Sequence, residues 1–291
     1  MIAKKWNFIV MLTAIFALAG CASTSTTGGA ASAPASSPAA SASAPSTAKP
    51  AGGASVLDEI KSRGKLVVGV KYDTKLFGLK NPTGGEVEGF DVDIAKALAK
   101  EILGDEKKIE LKEVTSKTRI PMLDNKEIDM IVATMTITDE RKKQVEFSDV
   151  YFKAGQSLLV KKGSPIKSIA DIKKGTKVLA VKGATSVGNI KAKAPEATVL
   201  EFDNYQDAFS ALKAGQGDTL TTDNAILYGM VAQDPNFAVV GEPFTDEPYG
   251  IAMKKGETAL QTVVNDSLKK LQSNGEYDKI YKKWIGEAPS K

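Results

Sequence analysis

The sequence predicts an α/β fold of two units, each a mostly parallel sheet flanked by helices. Three observations carry this reading. Short apolar, β-branched runs such as 65–70, 128–132 and 177–181 have the length and composition of buried strands. Amphipathic stretches with caps and stops alternate with them, as a parallel sheet requires. The alternation then begins afresh near Ser157, giving two units of ordinary domain size.

The folded part begins only near Val56. Residues 1–20 open with Lys4 and Lys5, continue into an apolar run from Trp6 to Leu18, and end in small residues before Cys21, the layout of a signal peptide. The run is too short for a membrane span of ~20 residues. Leu18-Ala19-Gly20-Cys21 resembles the lipobox of bacterial lipoproteins, so Cys21 is expected to be the lipidated anchor. Residues 21–54 are almost all Ala, Ser, Pro, Gly and Thr, with Lys49 their single charge, and predict a flexible tether. As a coil it would span ~30 Å.

Within the folded part, 56–62 reads as a helix and 65–70 as a strand. Residues 72–88 read as a loop, punctuated by Asn81-Pro82 and Gly84-Gly85. Gly89-Phe90-Asp91 opens a helix with Phe90, Ile94, Leu98 and Ile102 on one stripe and Gly104 as its stop. A strand at 109–114, a short helix at 120–125 and a strand at 128–132 follow. In the second unit, 157–160 and 177–181 are strands, Ser168 with Asp171 forms a capping box, and helices start near Thr185 and Tyr205. Residues 217–223 deliver a strand end, 243–248 a crossing and 250–253 a strand. Helices at 260–271 and 277–284 close the chain.

Composition excludes several functions. The sequence has no histidine, the commonest general base and metal ligand, and no second cysteine for a disulfide. No spacing matches a phosphate loop, a zinc site or a Ser/His/Asp triad, so no cofactor, metal or catalytic residue is expected. The formal charge of +4 drops by two with the leader and comes from scattered lysines, which argues against a nucleic-acid partner.

The most informative stretch is 133–152. Thr138 can cap a helix whose first turn carries Asp139 and Glu140, acidic residues suited to the positive dipole end. Arg141 falls in that same turn, where a cation is misplaced. Beside Thr134, Thr136 and Thr138, its planar fork would suit a carboxylate, the alternative being a solvated helix arginine.

Four segments together carry a family resemblance over about 57–286: Gly89-Phe90-Asp91-Val92-Asp93-Ile94-Ala95, Thr134-Met135-Thr136-Ile137-Thr138-Asp139-Glu140-Arg141, Phe147-Ser148, and Asn274-Gly275 before Tyr277. They resemble the family 3 extracellular solute-binding proteins, amino-acid receptors of bacterial ABC importers. The resemblance implies a type II periplasmic-binding-protein fold: residues 55–155 and 248–291 in lobe 1, 156–247 in lobe 2, and two crossing strands as the hinge. Arg141 would hold the α-carboxylate of a free amino acid, helped by Thr136 and by the backbone N–H of Thr185 at a helix start. Asp223 would accept the ammonium beside the Thr134 carbonyl. On the residues alone, Asp223 reads first as a strand-end turn residue, and Thr185 equally as a helix cap.

Lys71 and the Lys117-Thr118-Arg119 segment resemble the aspartate/glutamate-binding branch, and two cations would suit a second carboxylate. The plainer reading pairs Lys71 and Arg119 with surface acids such as Asp73 or Glu88. Tyr205 matches a ligand-side tyrosine of that branch, or is an ordinary half-buried one. Relatives often carry Pro-Phe in the first loop; here Phe77 is the candidate aromatic wall and Tyr72 the second choice. The expectation is a monomeric, lipid-anchored receptor for glutamate or aspartate that partners an ABC permease and touches the membrane through its anchor alone. The alternatives are a glutamine or other polar amino-acid receptor, a dehydratase-like enzyme on the same scaffold, and a ligand sensor or adhesin.

Overall fold

A computed structural model describes residues 55–286 apart from Pro82. The leader, Cys21 and the tether lie outside the described residues. Helix α1 (Val56–Arg63) is capped by Ser55, whose hydroxyl accepts from the Asp58 N–H, and closed by Gly64 in the left-handed region. Strand β1 (Leu66–Val70) is buried along its length. The stretch read as a loop instead forms a meander of β2 (Asp73–Thr74), β3 (Gly78–Lys80) and β4 (Val87–Glu88). These strands are too short to show a period-two pattern. Gly89 sits at φ 150°, and a side chain there would collide with the Phe77 carbonyl, which fixes glycine between the meander and the next helix.

Helix α2 (Phe90–Leu103) follows and stops at Gly104 as expected. Then come β5 (Ile109–Glu113), α3 (Arg119–Asp124), β6 (Met130–Ile131), α4 (Asp139–Lys142), β7 (Val145–Phe147) and β8 (Phe152–Ala154). The second unit runs β9 (Gln156–Lys161), a 3₁₀ turn at Ile169–Asp171, β10 (Lys177–Val181), α5 (Thr185–Lys193), β11 (Thr198–Phe202), α6 (Tyr205–Lys213), β12 (Thr219–Asp223), α7 (Asn224–Gln233) and β13 (Phe237–Val240). The chain returns through β14 (Glu247–Tyr249) and β15 (Ala252–Lys254) to α8 (Thr258–Ser273) and α9 (Glu276–Trp284).

The strands form two five-stranded sheets of matching design, ordered β5-β1-β6-β15-β7 and β11-β10-β12-β9-β13. In each sheet three neighbouring strands pair in parallel. β15 and β9 run against both of their neighbours, so four strands of each sheet share one direction. Between the sheets, β8 and β14 pair antiparallel as the two crossings.

Aromatic rings seal the base of these crossings. Phe77, Phe90, Phe152 and Tyr249 meet edge-to-face or stacked at 5.1–6.0 Å, with Tyr277 and Tyr281 on Phe90. Each such pair adds ~0.5–1.5 kcal/mol beyond area burial. Among the described residues no helix is long and apolar enough to cross a membrane.

Candidate ligand-binding site

In open α/β sheets, ligands collect outside the carboxyl ends of parallel strands. Here Lys71 follows β1, Thr134 and Thr136 follow β6, Gly183 and Thr185 follow β10, and Asp223 ends β12. Both sheets therefore turn these strand ends toward each other, where Arg141 reaches Gly183 and Glu247 joins Thr136 to Thr185.

Thr138 caps α4, its hydroxyl accepting from the Arg141 N–H at 3.2 Å. That cap turns the Arg141 side chain back along the preceding loop, where Nη1 donates to Thr136 O at 2.8 Å. Nη2 donates to Gly183 O at 3.0 Å, so one guanidinium touches both lobes. Arg141 is therefore not a solvated helix arginine. Burial lowers its pKa, while Asp223 and Glu247 favour its charge.

Asp223 is buried, and its Oδ2 accepts from the Tyr249 hydroxyl at 2.6 Å. Burial, and then the like charge of Glu247, raise its pKa from 3.8 to about 7. The hydrogen bond from Tyr249 and the charges of Arg141 and Arg119 pull the other way.

Lys71 and Arg119 are 0% and 2% exposed, so neither is a surface cation. Lys71 Nζ donates to Ser116 Oγ at 3.0 Å and lies 5.2 Å from the centre of the Tyr205 ring. Burial lowers its pKa to about 8. Arg119 is only partly engaged: its Nη1 donates to Ala133 O at 2.8 Å and Thr134 O at 3.4 Å, while its buried Nε has no partner among the described residues. The Thr134 N–H donates to Asp91 Oδ2 at 2.8 Å, and the Tyr151 hydroxyl to Asp91 Oδ1 at 2.8 Å. Arg119 and Asp91 thus grip both sides of Thr134, which holds the uncommon φ of 44°.

The remaining candidates divide. The Tyr205 hydroxyl pairs with Thr222 Oγ1 at 3.0 Å beside Asp223, and its N–H donates to Asp73 Oδ2 at 2.7 Å. Thr185 opens α5, with Ala184 ahead of it offering no side-chain cap. The hydroxyls of Thr136 and Thr185 both go to Glu247 Oε2, at 2.7 and 2.8 Å. Phe77 is enclosed by Phe90, Phe152 and Tyr249 in the aromatic core. Tyr72 turns away to donate to Leu111 O at 2.9 Å.

Glu247 and Tyr249 were not among the sequence candidates. The only signal was the place of Glu247 on the predicted crossing, with Tyr249 one residue beyond it, where side chains from one strand can reach both lobes. Asp91 belonged to a quoted motif but had no role assigned. Among the described residues, no group of acidic residues could hold a metal ion.

The fold, two matching sheets joined by two crossing strands, is that of a two-lobe solute receptor. Residues 66–287 match the bacterial extracellular solute-binding proteins, family 3, and the chain belongs to that family. It is 60% identical over 282 residues to the ABC transporter glutamine-binding protein GlnH of Bacillus subtilis (strain 168), covering 97% of each chain. It is 62% identical over 247 residues to a glutamine-binding protein of Geobacillus stearothermophilus, covering 85% of this chain and 90% of the relative. The solved structure of an ancestral arginine-binding protein bound to glutamine is 47% identical, with a TM-score of 0.72 over 77% of this chain and 99% of its own. The chain is an extracytoplasmic solute-binding protein of the importer type, and not an enzyme.

Proposed function

We propose that this protein captures a free L-amino acid for an ABC importer and that its ligand is glutamine. The observation that carries the amino-acid reading is the placement of Arg141 and Asp223. A half-buried cationic fork on one lobe and a buried carboxylate on the other lie where the two sheets meet, and each is in the electrostatic reach of the other. Together they suit the carboxylate and ammonium of a zwitterion. Charged hydrogen bonds contribute roughly 1.5–3 kcal/mol each, so four or five can supply the ~8 kcal/mol of micromolar binding after ordering costs. Closure follows as a population shift, because ligand contacts from both lobes form only in the closed state.

Glutamine replaces the glutamate or aspartate expected from the sequence. That expectation needed two cations at the ligand's side chain, and one nitrogen of Arg119, Nη1, instead serves two backbone carbonyls. The cations Lys71, Arg119 and Arg141 already face Asp73, Asp91, Asp223 and Glu247. A neutral side chain adds no uncompensated charge to this balance, whereas an acidic one does. The two relatives named for glutamine support the same choice. Isothermal titration of ligand-stripped protein against the standard amino acids tests it. Glutamine should bind tightest; a preference for glutamate or aspartate overturns the specificity, and no binding at all overturns the receptor.

Cys21 is the proposed lipid anchor. Cells fed labelled palmitate should label the wild type, and Cys21→Ser should abolish both the label and membrane retention.

A further inference from the structure

We infer that Glu247 sets the charge selectivity of the ligand site, as a resident carboxylate that disfavours acidic amino acids. This rests on the reading of the cleft as an amino-acid site.

Glu247 opens the second crossing strand and is 2% exposed. Its Oε2 accepts from Thr136 Oγ1 at 2.7 Å and Thr185 Oγ1 at 2.8 Å. Its Oε1 accepts from Thr245 Oγ1 at 2.7 Å and Asn189 Nδ2 at 2.9 Å. Four donors converge on it, the environment of an ionised, acceptor-only carboxylate. Thr136 comes from the first lobe and Thr185 and Asn189 from α5 of the second, so the charge lies where the halves meet.

Two consequences follow for a ligand. The hydroxyls of Thr136 and Thr185 have committed their protons to Glu247, so toward the cleft they offer lone pairs. The charge itself also reaches the proposed ligand-holding groups, favouring the cationic form of Arg141 and opposing ionisation of Asp223. In a cleft shielded from solvent such fields are weakly screened. A ligand with an extra carboxylate is repelled, while a neutral amide is not. A purely mechanical role at the hinge would instead treat both ligands alike, since their zwitterionic heads are identical.

The test is titration of the protein with glutamine and with glutamate, read as the ratio of the two dissociation constants. Glu247→Gln keeps the shape and removes the charge, and should lower the glutamate-to-glutamine Kd ratio about tenfold. Thr185→Val removes one donor and leaves the charge, and should move both affinities together. Thr245 is half-buried, so Thr245→Lys can lay a cation beside Glu247 and should lower the ratio in the same direction should Glu247→Gln fail to fold. An unchanged ratio in whichever charge variant folds overturns the inference. A wild type that binds neither amino acid overturns instead the reading on which it rests.

Discussion

The Tyr249 hydroxyl donates to Asp223 Oδ2 at 2.6 Å, so a residue of the second crossing strand orients the carboxylate that ends β12. The hinge is therefore chemically part of the site. Tyr249→Phe keeps the ring stacked on Phe152 at 5.4 Å but leaves Asp223 without its donor. Ligand affinity should fall about tenfold, the lower end of a charged hydrogen bond, with little change in melting temperature. Calorimetry beside a thermal melt separates the two effects.

Acidity should move stability and affinity in opposite directions. Burial raises Asp91 and Asp223 from 3.8 to about 7. Between pH ~4 and ~7 the folded, ligand-free protein then holds more protons than the unfolded chain, so its stability falls as pH rises. In the proposed site the ligand's ammonium needs Asp223 ionised, so binding should weaken as pH drops below about 7. Melts from pH 5 to 8 should show a falling ligand-free midpoint and a growing increment on adding glutamine.

Thr134 should tolerate glycine. Its φ of 44° is unfavourable for a β-branched residue, a strain of about 1–3 kcal/mol. Thr134→Gly removes that strain and loses part of the gain to unfolded-state entropy, for a net stabilisation of about 1 kcal/mol. Denaturant unfolding reads it directly, and a destabilised variant would show that the side chain is needed there.

Phe77→Leu separates an aromatic core residue from a ligand wall. The ring is fully buried among Phe90, Phe152 and Tyr249, so its loss should cost about 1–3 kcal/mol of stability. The ranking of amino-acid ligands should stay as in the wild type. A changed ranking would mean the ring also meets the ligand.

What could be read in advance followed the strength of local signals. Thr138 as a cap, the Ser168–Asp171 box and the Gly104 stop act through their own neighbours, and all three are present. β11 escaped because Thr198–Phe202 lies at a sheet edge and shows neither a continuous apolar run nor clear alternation. α7 escaped because it starts directly after β12 and carries Gly229, which sits where α7 closes on the Lys75 carbonyl. Arg119 was singled out for a ligand, and its partners are carbonyls at Ala133 and Thr134. Side-chain direction of that kind depends on tertiary packing and leaves no trace in spacing. Glu247 was hidden for the same reason, since its four donors come from separated parts of the chain.

Asp73 gives the meander a kinetic meaning. Its carboxylate accepts the Tyr205 amide at the start of α6, and its carbonyl accepts from the Gln206 side chain at 3.0 Å, so the rim of one lobe is latched to the other. Escape of a captured molecule requires this latch to break, whatever holds the molecule below. Dwell time inside the cleft should therefore shorten when Asp73 becomes alanine, while the rate of capture stays nearly constant.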